Sequence, residues 1–314
     1  MPVLVAHGGA GRWPEERLGK ALEGLREALM AGFSVLEGGG SALDAVEEAV
    51  ANMEDNPLFN AGVGSALNLA GEVEAEASIM DGSSLSAGAV ALVKSVRNPV
   101  RLARLVMEKT DHVLLAGPTA EELARAFGLE EGELKTEERA RMWEEALSRL
   151  RAGEARYFRR LPALLAEMPG LAPPGTVGAV ALDGEGRLAA ATSTGGIMLK
   201  LPGRLGDTSH IGAGTYADQH GASSATGIGE VAIKLCLTRM ACLLMGLGLS
   251  AERAAEACMG LVASSFPWAP MGIITLDAKG RLGAAHTSEY MPWGYIREGM
   301  KSPEVSGRGV RVRV

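Results

Sequence analysis

Two segments of the chain share one plan: "LDGEGRLAAATS" (Leu182 to Ser193) and "LDAKGRLGAAHTS" (Leu276 to Ser288). Each reads as a strand, a four-residue turn and a second strand rich in very small residues. Side chains alternate across a strand, so Ala189, Ala190, Ala191, Ala284 and Ala285 leave both faces nearly flat and let another layer approach closely. Stacked layers follow from this. The hairpins are expected to be sheet edges around a helical pair near Glu230 to Leu247 and Ala251 to Ala263. The echo is a single pair and not a repeat array.

The first half alternates short strands with amphipathic helices. "VLVA" opens it, followed by a helix near Glu15 to Ala31 and another after Ser41, where Asp44 stands three residues on as a capping box. "EVEAEASIM" and "GAVALVKSV" read as strands. Helices follow near Val100 to Lys109, Thr119 to Phe127 and Thr136 to Arg151, with a solvated acidic loop between the last two. Gly153 to Gly175 reads as an irregular surface connection. The chain is thus mixed α and β.

Composition narrows the partners. With 47% hydrophobic and 22% charged residues the 314-residue chain is globular, and a net charge of -7 gives it no general attraction for nucleic acid or membrane surfaces. A small molecule is the expected partner. No cationic, apolar leader opens the sequence, which reads as cytoplasmic. The apolar run Val231 to Leu249 carries Lys234 and Arg239 and reads as a buried helix rather than a membrane span. Cys236, Cys242 and Cys258 lack CxxC spacing and are expected in the core. The five histidines are scattered, and GxSxG, HExxH and GxxxxGK[ST] patterns are absent.

Chemistry enters at "APPGTVGAVALD" (172–183), where a stiff loop ends abruptly on Thr176. A threonine hydroxyl is protonated at neutral pH and needs a base to attack. If the Gly175-Thr176 bond is cut, Thr176 carries its own base, an α-amine titrating near ~7.7 to 8.0. Gly175 can take backbone angles that bring the hydroxyl onto its carbonyl carbon, while Pro173 and Pro174 restrict the loop. Taken alone, "PPGT" reads as a turn entering a strand.

Its company decides the reading. "TSTGG" (192–196), "KLPGRLGD" (200–207), "GAGTYAD" (212–218) and "ATGIGE" (225–230) follow it, and "HGGAG" (7–11), "NPLFNAGVGS" (56–65), "MDG" (80–82) and "RNPVRLARLVM" (97–107) precede it. In this order they resemble the plant-type L-asparaginase and isoaspartyl peptidase family of N-terminal-nucleophile hydrolases, over roughly Val5 to Tyr295.

The resemblance implies a single domain, an α+β four-layer αββα sandwich, that cleaves itself into an α chain (1–175) and a β chain (176–314) and pairs as a homodimer of cleaved units. It implies hydrolysis of L-asparagine and β-aspartyl dipeptides to L-aspartate, with Thr176 as nucleophile. Thr194 matches the threonine that hydrogen-bonds the nucleophile; as a plain strand-end hydroxyl it would cap a turn. Arg204 matches the clamp on the substrate α-carboxylate and Asp207 the partner of the α-ammonium; otherwise they would form a surface ion pair. Thr226 and Gly227 match the oxyanion hole, and Gly229 lets backbone approach the substrate. Asn60 matches an asparagine that arranges the site and its maturation. No catalytic cofactor is implied. The carbonyls of Met53, Glu54, Asn56, Phe59, Ala61 and Val63 align with a loop that holds a structural sodium ion in relatives.

Three positions depart from the pattern. Pro174 stands where relatives usually carry histidine, Ile228 where a polar residue is frequent, and His286 where asparagine is common, so maturation rate and leaving-group preference are expected to differ. A glycosylasparaginase-like hydrolase shares the nucleophile. From another class, "HGGAG" or the GxGxxA match at Gly212 to Ala217 would suit a nucleotide-binding α/β protein.

Overall fold

The computed structural model describes residues 1–152 and 175–312. In chain order the elements are β1 (Val3–His7), α1 (Glu15–Glu37), α2 (Ala42–Asp55), β2 (Ala75–Asp81), β3 (Ala87–Val93), α3 (Pro99–Lys109), β4 (Leu114–Ala116), α4 (Pro118–Ala126) and α5 (Glu137–Arg151). After Thr176 come β5 (Val177–Leu182), β6 (Leu188–Thr194), β7 (Thr215–Ala217), β8 (Gly221–Gly227), α6 (Gly229–Leu235), α7 (Leu237–Gly246), α8 (Ala251–Ser265), β9 (Met271–Asp277), β10 (Leu282–His286), β11 (Trp293–Arg297), β12 (Glu304–Ser306) and β13 (Val310–Arg311).

The strands form two sheets, one in the order β12-β11-β1-β5-β6-β2-β3-β4 and the other β13-β10-β9-β8-β7. Strand periodicity then builds the layers. On β1, Leu4 and Ala6 pack under Leu25, Leu29, Val46 and Val50 of α1 and α2, while Val3 and Val5 turn to the other side and meet Ala222, Ile274 and Leu276 of the second sheet. The outer face of that second sheet, with Ala225, Ile273 and Ala285, lies under Ala241, Cys258 and Val262 of α7 and α8. Helices, sheet, sheet and helices stack in that order, giving the expected α+β sandwich.

Both hairpins form, and their turns are copies: Asp183 and Asp277 each accept from the backbone two and four residues on and from the Nε of Arg187 and Arg281. They are not sheet edges, however. β5 and β6 lie between β1 and β2, and β9 and β10 between β8 and β13. Strands buried on both faces leave no water for an unpaired edge, so neighbours on each side supply the hydrogen bonds.

Other boundaries shift for local reasons. α1 runs on through the buried Gly32 to Glu37, and Gly38 caps it by donating its amide to the Ser34 carbonyl. Ser41 and Asp44 form the expected capping box on α2. The helix expected from Glu230 to Leu247 breaks at Cys236, whose φ of 47° is left-handed. There α7 starts afresh by donating Thr238 and Arg239 amides to the carbonyls of Ala213 and Gly212, partners a straight helix would not reach. Cys236 is consequently exposed, contrary to the expected core position, whereas Cys242 and Cys258 are buried. The connection expected over Gly153 to Gly175 lies outside the described residues up to 174. The acidic loop before α5 is solvated as expected, with Glu130, Glu131 and Glu133 exposed, while Leu134 anchors its end in the core.

Between the sheets, hydroxyls replace apolar side chains near the N-terminal end of β5. Thr192 meets Ser224 at 2.8 Å and Thr215 at 2.5 Å, and Ser78 meets Thr215 at 2.7 Å. A polar seam this deep marks the place where the layers were built around something other than packing.

Candidate active site

Thr176 is the residue before β5, and the sheet register sets Val177 opposite Ser193 of β6, so Thr176 and Thr194 meet across the ladder. Their hydroxyls lie 3.3 Å apart, both buried. Thr194 Oγ1 donates to the Gly175 carbonyl at 2.6 Å and accepts from the Gly196 amide at 2.9 Å, which leaves it to accept from Thr176. Asn60 Nδ2 donates to the same Gly175 carbonyl at 2.5 Å and to Gly196 O at 2.8 Å, while its Oδ1 accepts from Ala66 at 2.6 Å. Two donors thus converge on the carbonyl before Thr176. Gly9, at φ +108°, packs its backbone against this bond, where a Cβ would come 3.0 Å from Thr176 O.

The Gly9 loop reaches the second sheet as well. Ala10 N donates to Thr226 Oγ1 at 3.1 Å, an arrangement that occupies a lone pair of Thr226 and leaves its proton to be donated. Gly227 follows at φ +128°, and a Cβ there would meet Pro270 O at 2.3 Å, so only glycine fits. Gly229 opens α6, and its α-carbon lies against the Arg204 guanidinium and Asp207, each of which a Cβ would approach to 2.9 Å. The structure therefore gathers Thr176, Thr194, Asn60, Gly175, Thr226, Gly227, Gly229, Arg204 and Asp207 around one seam.

Arg204 and Asp207 do not form the surface ion pair that their spacing allowed. Arg204 instead grips Glu230, Nε to Oε1 at 3.0 Å and Nη2 to Oε2 at 2.9 Å. Burial works against that guanidinium's charge, yet Glu230, Glu76 and Asp207 together hold its pKa above the usual value. Asp207 is buried with Oδ2 unpartnered among the described residues, and burial pushes its pKa up to about 7.

Several contributors were not singled out in the sequence. Glu74 and Glu76, at the start of β2, tie down the loop that carries Arg204 and Asp207: Glu74 accepts from Gly203 at 3.1 Å, and Glu76 accepts from Gly206 at 2.9 Å and Ser209 at 2.8 Å. Lys200, buried beneath them, donates to Glu74 O at 2.6 Å. Acidic residues at alternate positions in an otherwise small-residue strand were the available signal, because buried carboxylates require partners. Arg139 of α5 is the other: its guanidinium donates to Leu58 O at 3.2 Å, to Phe59 O at 2.9 Å and to Gly64 O, bracketing Asn60. Nothing near Arg139 in sequence announces this.

The loop aligned with a sodium site has a donor chemistry that fits a hard cation. Met53, Glu54, Asn56 and Phe59 carbonyls each accept from Asn56, Val63, Phe59 and Arg139, respectively, with a lone pair to spare, and Ala61 and Val63 carbonyls have no donor among the described residues. Glu54 Oε2 is a buried atom without a partner, and burial pushes that carboxyl up to about 8.

Competing chemistries fit poorly. His7 Nε2 lies 3.0 Å from Ser224 Oγ, the outline of a serine-histidine pair, but burial drives the His7 pKa down to about 3, too weak for a base. Gly212 to Ala217 leads into β7 and not into a helix. "HGGAG" does precede α1, yet that helix begins at Glu15 and Glu16, which repel phosphate. No helix among the described residues is long and apolar enough to cross a membrane.

Comparison with known proteins agrees with this arrangement. A family model described as "Asparaginase" matches residues 1–305. The chain is 50% identical to the plant-type L-asparaginase of Pyrococcus abyssi over 305 residues, covering 97% of this chain and 99% of that protein. It is 51% identical to the protein of the same name from Pyrococcus furiosus, with the same coverage. With the isoaspartyl peptidase/L-asparaginase of Bos taurus it shares 44% identity over 302 residues, 95% of this chain and 94% of that one. A match of this extent, on a fold of two sheets between helical layers, makes the chain a member of the asparaginase family.

Proposed function

We propose that this protein is a threonine amidohydrolase that cuts its own chain before Thr176 and hydrolyses L-asparagine and β-aspartyl dipeptides, releasing L-aspartate. The names of its relatives support the substrate class. The observation that carries the mechanism is the convergence of Thr194 and Asn60 on the Gly175 carbonyl beside the Thr176 hydroxyl.

Maturation uses those two donors as an oxyanion hole. Thr176 Oγ attacks the Gly175 carbonyl carbon, the hydroxyl proton passes to the nitrogen as the C–N bond breaks and frees the α-amine, and water then hydrolyses the resulting ester to the Gly175 carboxylate and the free Thr176 hydroxyl. The products, 1–175 and 176–314, stay together because β1 lies between β5 and β11 and β2 pairs with β6, each a pairing across the cut. The cut enzyme is thus still one domain.

In turnover, Arg204 takes the substrate α-carboxylate and Asp207 its α-ammonium, with Gly229 giving them room. The Thr176 amine removes the hydroxyl proton as Oγ attacks the side-chain carbonyl. Thr226 Oγ and Gly227 N–H meet the developing oxyanion. The amine then returns the proton to the departing nitrogen, and water splits the aspartyl ester. Thr194 orients the nucleophile throughout. No catalytic cofactor takes part. Met53, Glu54, Asn56, Phe59, Ala61 and Val63 would hold a sodium ion that stiffens the Asn60 loop and supplies no chemistry.

A homodimer of cleaved units is the assembly we propose, in the cytoplasm, consistent with three cysteines free of disulfides. The test is a denaturing gel after incubation, with N-terminal sequencing of the smaller band and ammonia release from asparagine. Scission at Thr176 together with turnover is expected. Turnover by material that remains one polypeptide would refute the self-supplied base.

A further inference from the structure

Self-cleavage makes a strict demand on Asn60, whose Nδ2 stands 2.5 Å from the Gly175 carbonyl although residues 56–66 belong to no helix or strand. Peptide units are planar, so the two planes flanking an α-carbon decide where its side chain points. The plane after Asn60 is held from β6, because the Asn60 carbonyl accepts from the Gly195 amide at 3.0 Å. The plane before it is held by Arg139. That guanidinium donates through Nη2 to Phe59 O at 2.9 Å and Leu58 O at 3.2 Å, and through Nε to Gly64 O. No other donor reaches these three carbonyls among the described residues.

Every oxygen that Arg139 meets among the described residues is a backbone carbonyl, and its sequence neighbour Glu138 pairs with Arg17 instead. A buried cation without a carboxylate is costly, and a neutral donor would satisfy any one carbonyl more cheaply. Only a planar fork spans carbonyls on both sides of Asn60 at once. Burial pulls the Arg139 pKa down to about 10, which leaves it charged at neutral pH. The start of α5 is arranged to deliver this fork. Thr136 Oγ1 accepts from the Arg139 amide at 3.2 Å, and the buried Leu134 accepts from the Gly64 amide at 3.0 Å. Gly64, at φ +99°, is thereby held through both its amide and its carbonyl.

We infer that Arg139 is a positioning residue for maturation: by fixing the peptide plane between Phe59 and Asn60 it aims the Asn60 donor at the Gly175 carbonyl, so scission waits until α5 has docked on the loop. The inference rests on the self-cleavage reading above and deepens it. Turnover depends on Arg139 far less, since the oxyanion of the substrate meets Thr226 and Gly227.

The experiment follows freshly purified precursors of wild type, Arg139→Lys, Arg139→Met, Asn60→Ala and the Asn60→Ala/Arg139→Met double variant by denaturing gel and intact mass, with a thermal melt of each. Arg139→Met fills the space without donating and should slow scission about ten- to a hundredfold, the scale on which a misplacement of about 1 Å acts. Arg139→Lys keeps the charge but not the fork and should fall between it and wild type. In the Asn60→Ala background Arg139→Met should slow scission less than threefold further, because the group it positions is gone. Once Arg139→Met has matured fully, its kcat/KM on asparagine should show a loss at least fivefold smaller than its loss in scission rate. Where Arg139→Met lacks a cooperative melt, Arg139→Lys takes its place in every comparison. Scission within threefold of wild type, full additivity with Asn60→Ala, or equal losses in scission and turnover each overturn the inference. A wild type that stays one chain removes the self-cleavage reading as well, whereas a wild type cut at Thr176 whose variants fail these comparisons loses only the role of Arg139.

Discussion

Replacing Asn60 by alanine should nearly stop maturation while leaving a folded protein. In the uncut chain its Nδ2 is one of two donors on the Gly175 carbonyl, at 2.5 Å, the other being Thr194 Oγ1 at 2.6 Å. Removing one donor from an oxyanion site costs about 2.7 to 4 kcal/mol, or 10²- to 10³-fold in rate. The same change leaves the Gly196 carbonyl and the Ala66 amide without their partner. Each orphan costs about 1 to 3 kcal/mol, with the low end applying if water enters the space vacated. The expected variant is therefore destabilised by a few kcal/mol and processed at least a hundredfold more slowly. Freshly purified precursor would be followed by denaturing gel and intact mass over days, with thermal melting as the check on folding. A cooperative melt combined with scission within threefold of wild type would refute the donor role. Thr194→Val, which removes the second donor at nearly constant shape, should act in the same direction, and the double variant should remain a single chain.

Thr176→Ala should stay full length and inactive, and normal turnover by it would end the nucleophile assignment. Arg204→Ala should still be processed but bind asparagine weakly, read as a rise in KM; an unchanged KM would argue against the carboxylate clamp. The pH profile should carry Asp207: its pKa, raised by burial to about 7, means that kcat/KM gains a second protonation below that pH, beneath the one from the Thr176 amine. Asp207→Asn should reduce the acid limb from a slope of two to a slope of one, and a profile unchanged by the substitution would exclude this role. Glu54, lifted from 4.5 to about 8 by burial, keeps its proton in the native state across that window. Its contribution to stability is full below pH 4.5 and lost as pH rises through 8, so Glu54→Gln should flatten that slope in denaturant titrations; an identical slope in both proteins would show that Glu54 is ionised when buried.

Much of the site was legible in linear order because its chemistry is carried by short backbone-dependent patterns. The threonine after a glycine, the threonines at the two ends of the β5–β6 hairpin and the glycines following Thr226 must occupy turns and strand ends, and turns have sequence signatures. The residues that went unread act across long separations. Arg139 reaches Phe59 from 80 positions away and Lys200 reaches Glu74 from 126, and neither carries a local pattern. Arg204 illustrates the same limit: its nearest acidic residue in sequence was Asp207, but its grip is on Glu230.

The sequence by itself determined the alternation of helices and strands, the two copied hairpins, the flat alanine faces and the order of motifs that marks the family. These depend on φ, ψ preference and on the periods of strand and helix, which neighbouring residues dictate. Only the tertiary structure decided that the hairpins lie inside the sheets, that the helix after Thr226 breaks at Cys236, and that Arg204 turns to Glu230. Those outcomes follow from satisfying backbone hydrogen bonds and filling space between layers, conditions that hold for the folded chain as a whole and for no stretch of it alone.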